Sequence, residues 1–85
     1  MGNQTNDIEY DKEVDVLYVR LKPGETVAKT VELDETRLID YSKDGAVIGL
    51  EFMDASEGVD LSDVPFAHRV EQIIGESGLG LRVFA

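Results

Sequence analysis

The chain predicts an α+β fold, an antiparallel β-meander of about five strands with one C-terminal helix packed on a face of the sheet. Three observations carry this expectation. Apolar and polar residues alternate with period two through most of the first half, the mark of half-buried strands. Turn-forming runs such as Lys22-Pro23-Gly24-Glu25 and Ser42-Lys43-Asp44-Gly45 punctuate that alternation. After Asp54 the period changes, and Phe66, Val70, Ile73 and Ile74 recur at i, i+4, i+7 and i+8, the apolar stripe of a short helix.

In chain order, Ile8 and Tyr10 open a first strand, and Lys12-Glu13-Val14-Asp15 turns the chain. Leu17, Val19 and Leu21 share one face of a second strand, with Val16, Tyr18 and Arg20 on the other. Pro23 and Gly24 suit the two central positions of a turn, where φ is preset and then free to become positive. Val27, Val31 and Leu33 fall on one face of a third strand; Lys29 interrupts that face, which places the strand near an edge. A strand over Arg37 to Tyr41 follows, and Asp44-Gly45 signals a hairpin into a strand from Ala46 to Met53. There Ile48, Leu50 and Phe52 alternate with Val47, Gly49, Glu51 and Met53. Gly49 leaves a gap explained by a bulge, a close backbone approach or, more rarely, a ligand. Ser62 or Asp63 can cap the helix, with Pro65 in its first turn. Gly75, Gly78 and Gly80 stop it, and Leu79 to Ala85 forms a closing strand or an extended arm. The expected core is Leu17, Val19, Leu21, Val31, Leu33, Ile48, Leu50 and Phe52, covered by the helix stripe.

With 85 residues the chain fits one small domain, 7–85, preceded by a polar disordered tail at 1–6. A domain this size buries only about 60–65% of its unfolded surface, which makes self-association an expected route to stability. No cysteine is present, so disulfides and thiolate metal sites are excluded. Eighteen acidic residues against eight basic ones give a formal charge of −10, a field that repels polyanions. No nucleic acid is expected as a partner. A basic protein is a possible one, and solubility alone also accounts for the charge. No signal-peptide pattern or membrane-length apolar run appears, so the expectation is a cytoplasmic protein without membrane contact.

The run Tyr10-Asp11-Lys12-Glu13-Val14-Asp15-Val16-Leu17-Tyr18-Val19-Arg20-Leu21 is an aromatic and acidic turn leading into an alternating strand. Together with Val31-Glu32-Leu33-Asp34, Gly45 to Phe52 and Asp54-Ala55-Ser56, it resembles the YuzE-like family of short prokaryotic proteins, a domain of unknown function. The resemblance covers about residues 8–56 and implies no activity.

Asp11, Glu13 and Asp15 are the one carboxylate cluster with ligand-like spacing, suited to calcium or magnesium. Counted as a calcium loop from Asp11, the sixth position is Val16 instead of Gly and the twelfth is Lys22 instead of Glu. The alternative is that these carboxylates bond their own turn backbone. Tyr10 and Tyr18 flank the turn and are interface candidates, or they pack across the hairpin. His68, off the apolar stripe and beside Arg69, has no acid–base partner in the sequence. Gly75-Glu76-Ser77-Gly78-Leu79-Gly80 follows a helix and carries no Lys, unlike a phosphate loop. No catalytic residue and no cofactor is expected. Three functions remain open: a non-catalytic, self-associating interaction module; an acidic, antitoxin-like partner that neutralises a basic protein; and a small metal-assisted enzyme built on the Asp11/Glu13/Asp15 cluster.

Overall fold

The alternating segments become strands at nearly the expected positions. The structure, a computed structural model, describes residues 7–85; the expected tail at 1–6 lies outside the described residues. In order come β1 (Ile8–Asp11), β2 (Val16–Arg20), β3 (Lys29–Asp34), β4 (Arg37–Tyr41), β5 (Val47–Met53), a 3-10 turn (Ala55–Glu57), β6 (Val59–Asp60), α1 (Ala67–Glu76) and β7 (Val83–Phe84).

The first five strands form one antiparallel sheet, with the helix α1 following them. Its order is β1-β2-β5-β4-β3. Thus β1–β2 is a hairpin and β3–β4–β5 a meander, and the two units join through β2 and β5. The connection from Lys22 to Ala28 allows this by passing the ends of β5 and β4. Leu21 N–H donates to Ile48 C=O at 2.7 Å, and Ala28 N–H donates to Tyr41 C=O at 2.8 Å. A sequential order would leave β5, the most apolar strand, at an edge. The observed order buries it in the centre and puts the charged β3 outside.

Leu17, Val19, Leu50, Phe52 and Val59, with Val70 of α1 itself, are almost fully buried between the sheet and the helix with its flanking segments. Each such side chain contributes about 1.5–3 kcal/mol relative to exposure. The core differs from expectation at three places. Val31 is 38% exposed and Leu33 only half-buried, because α1 packs chiefly over β2, away from the β3 edge. Ile48 is buried but lies outside the main cluster. Asp40 pairs with Gly49 and Tyr41 with Val47, so Ile48 has no partner in the β4 ladder, and Val47 faces the core instead. Phe66 is 62% exposed. It precedes the helix at φ 57 as its N-cap, and Val70 and Ile74 carry the buried stripe with Ala67 and Ile73 partly covered.

The helix therefore begins later than the capping pattern suggests. Ser62 does not cap α1: its N–H and hydroxyl both donate to Asp60 Oδ1, at 2.9 and 2.8 Å. The final segment folds back within its own chain. β7 pairs in parallel with β6, and Leu61 N–H donates to Phe84 C=O at 2.7 Å. No helix among the described residues is long and apolar enough to cross a membrane.

Candidate functional site

The acidic turn between β1 and β2 is tied into the fold. Asp15 sits at φ 58, a left-handed conformation that Asp tolerates better than most residues. Its Oδ1 accepts from Tyr10 Oη at 2.6 Å and from Ser56 N–H at 2.9 Å, and its Oδ2 accepts from Ser56 Oγ at 2.7 Å. The Tyr10 and Ser56 hydroxyls hold the Asp15 carboxyl below its usual range; the same contact raises Tyr10. Asp11 acts separately, its Oδ1 accepting from Glu13 N–H at 3.0 Å, while the Glu13 side chain is exposed. The three carboxylates are not brought together. Among the described residues, no group of three or more His, Cys, Asp or Glu is placed to hold a metal ion.

Tyr10 and Tyr18 lie on opposite faces and do not pack across the hairpin. Tyr10 opposes Leu17 on the core side, and Tyr18 opposes Glu9 on the side turned away from α1. The Tyr18 ring crosses the neighbouring strand at Gly49, where an added Cβ would overlap the hydroxyl and come within 2.6 Å of Cζ. The gap read from the sequence is thus filled by this chain's own tyrosine. Tyr18 Oη then reaches β4 and donates to Asp40 Oδ2 at 3.0 Å, while Thr30 Oγ1 on β3 donates to Asp40 Oδ1 at 2.6 Å. The Arg20 guanidinium lies 5.2 Å from the ring centroid.

Burial, followed by the hydrogen bond and charge of Asp40, pushes the Tyr18 phenol up to about 12. Its neutral form is therefore favoured in the folded state. That contribution to stability is complete below pH 10.0, the ordinary phenol value, and is lost as pH rises through about 12. A tyrosinate absorbance titration is expected to show one phase delayed to about pH 12. Tyr18→Phe should remove that phase; its persistence in the variant would assign the delay elsewhere.

A third cluster centres on Arg37, which sequence reasoning passed over. This residue is 8% exposed, on the core side of β4 opposite Phe52. Its Nε and one terminal nitrogen bond Asp34 Oδ2 at 2.9 and 2.7 Å. The other terminal nitrogen donates to Asp60 C=O at 3.1 Å and to Ser62 C=O at 2.5 Å. The guanidinium, with Thr36 N–H, holds the Asp34 carboxyl down at about 2. An Arg inside the apolar run Arg37-Leu38-Ile39 was the available signal, since a buried charge needs partners.

His68 is exposed on α1. The Gly75–Gly80 segment forms the end of the helix, where Ser77 Oγ donates to Ile74 C=O at 2.6 Å. Apolar and basic groups also stand on the surface. Val27 and Val31 are exposed at the β3 edge, and Phe66 stands exposed in a conformation unfavourable for a bulky residue. An open cleft of about 390 Å³ lies at the start of β3, lined by Lys29, Tyr41, Ser42 and Lys43 among others. A family model described as a protein of unknown function (DUF2283) matches residues 7–56. Neither a curated protein nor a solved structure matches the chain.

Proposed function

Starting from a chain that belongs to the DUF2283 family of proteins of unknown function, we propose that it is a non-catalytic interaction module that associates with itself. The observation that carries this reading is the uneven cover of the sheet. α1 and its flanking segments shield β2 and β5, but the β3 end keeps Val27 43% and Val31 38% exposed. A small domain gains from covering such surface with another chain. The polar groups that could do chemistry are already engaged: Asp15 with Tyr10 and Ser56, Asp40 with Tyr18 and Thr30, Arg37 with Asp34.

A second reading is the acidic, antitoxin-like partner of a basic protein. It is favoured by the helix-free face of the sheet, where Glu9, Asp11, Glu32 and Glu51 outnumber Arg20 around Tyr18 and the half-buried Val16 and Leu38. A predominance of acidic charge around a small apolar centre suits a partner of opposite sign. The metal-assisted enzyme has the least support, because Asp15 already accepts three internal hydrogen bonds and Asp11 bonds its own turn. The YuzE-like name and a cytoplasmic location belong with this proposal, and neither discriminates between the readings.

Sedimentation at micromolar concentration tests the first reading. The expected species is twice the 9.4 kDa chain mass. A clean monomer across that range would sink it, and capture of a basic partner by that monomer would favour the second.

A further inference from the structure

The two ends of the sheet present edges of different character. At one end, β1 carries Glu9 and Asp11, preceded by Asp7. Antiparallel pairing of this edge with itself would bring like charges together, a known guard against edge association. At the other end, β3 is bonded only to β4, so its outer backbone groups are not used by the sheet. Its charges are polarised along the strand. Lys29 stands at the start, beside the Lys43-lined cleft, and Glu32, Asp34 and Glu35 stand at the finish and in the following turn.

Antiparallel pairing of such a strand with a second copy of itself lays the basic end of each against the acidic end of the other, twice by symmetry. Resting on the self-association reading above, we infer that β3 is the edge that associates, pairing antiparallel with β3 of a second copy about a two-fold axis at Val31. The register follows by elimination. A two-fold axis perpendicular to the sheet keeps each residue on its own face, so partners must differ by an even number of positions. An axis at Lys29, at Glu32 or at Asp34 sets like charges opposite each other, and an axis at Leu33 sets Glu32 against Asp34. An axis at Thr30 sets Lys29 against Val31 and keeps the two exposed Val31 side chains apart. Only the axis at Val31 pairs Val31 with Val31 and Thr30 with Glu32, while Lys29 of each copy meets the bulge that β3 carries between Glu32 and Asp34. It also carries the Asp34–Glu35 turn of one copy towards the Lys29 and Lys43 cleft of the other. The exposed Val31 and half-buried Leu33 of both copies then form one apolar strip across the joined sheets.

The chain has no cysteine, so an introduced one reports cleanly. Residues opposed across antiparallel strands have Cα atoms about 4.5–5.5 Å apart, within disulfide reach. In the full chain under mild oxidation, Val31→Cys is expected to give a covalent dimer and Glu9→Cys none. Lys29→Glu is expected to weaken the dimer by about tenfold or more, and adding Glu35→Lys to restore most of the loss. All four positions are exposed, and thermal melts confirm that each variant folds. A wild-type dimer that keeps its affinity in Lys29→Glu and gives no Val31→Cys crosslink overturns the β3 assignment while leaving self-association standing. Crosslinking through Glu9→Cys alone, or open-ended growth by β3 joining β1, overturns it too. A wild-type monomer removes both this inference and the reading beneath it.

Discussion

Replacing Arg37 with methionine is expected to cost about 1–3 kcal/mol, because two carbonyls lose a charged donor while Asp34, its side chain 44% exposed, regains water. Methionine fills the space of the aliphatic stem but donates nothing. Asp34 loses its cation, and the carbonyls of Asp60 and Ser62 lose the group that binds them to β4. A domain of 85 residues holds only roughly 4–13 kcal/mol in total, so the variant should lose a sizeable share of its stability. The loss should be smaller in acid. Asp34, depressed to about 2, stabilises the fold fully above its ordinary value of 3.8, and this contribution is lost as pH falls through about 2. Urea unfolding at pH 7 and pH 2 measures both effects. Arg37→Lys, which keeps the charge without the planar fork, should recover only part of the stability. Full recovery by lysine, or a loss below about 1 kcal/mol in the methionine variant, would mean that the carbonyl contacts contribute little.

The elements were legible where the local signals agreed with one another. Alternation, the Asp44-Gly45 turn and the edge-marking Lys29 located β4, β5 and the outer position of β3. Alternation cannot specify strand order, however, because it records only which face is buried. The centre went to β5 since its apolar run gains most from neighbours on both sides. Nor does strict period two survive a bulge: the shift opposite Asp40 and Tyr41 sends Val47 to the core and leaves Ile48 outside the cluster. The helix start was misplaced for a similar reason. Ser62 and Asp63 have the chemistry of caps, but Ser62 is engaged by Asp60, and the left-handed Phe66 marks the boundary.

The candidate site was legible as residue types but not as partnerships. Asp11, Glu13 and Asp15 were flagged by spacing, yet the partner that defines Asp15 is Ser56, forty-one positions away. Tyr10 and Tyr18 are separated by an even number of positions, which suggests one face along a continuous strand. The turn between them breaks that count, and the pairing of Tyr10 with Leu17 sends Tyr18 to the other side. Arg37 drew no notice because its carbonyl partners lie beyond β5, in a segment read as the approach to a helix.

Gly49→Ala is the more specific test of the outer face, with an expected cost of about 1–3 kcal/mol from overpacking. The new methyl would meet two different obstacles. The Tyr18 ring can swing away, giving up its bond to Asp40, whereas the Val19 carbonyl, 2.9 Å from the added Cβ, is backbone and yields only by shifting the β2–β5 ladder. The two contributions separate in a double-mutant cycle. In a Tyr18→Ala background the ring is gone, so Gly49→Ala should cost less, with the residue reflecting the strand contact alone. In the single Gly49→Ala variant, the delayed tyrosine phase near pH 12 should move back towards 10.0 as the displaced phenol regains water. Equal costs in both backgrounds, with the tyrosine phase unmoved, would show that the ring does not depend on the missing side chain. The account of Gly49 as the seat of Tyr18 would then fail.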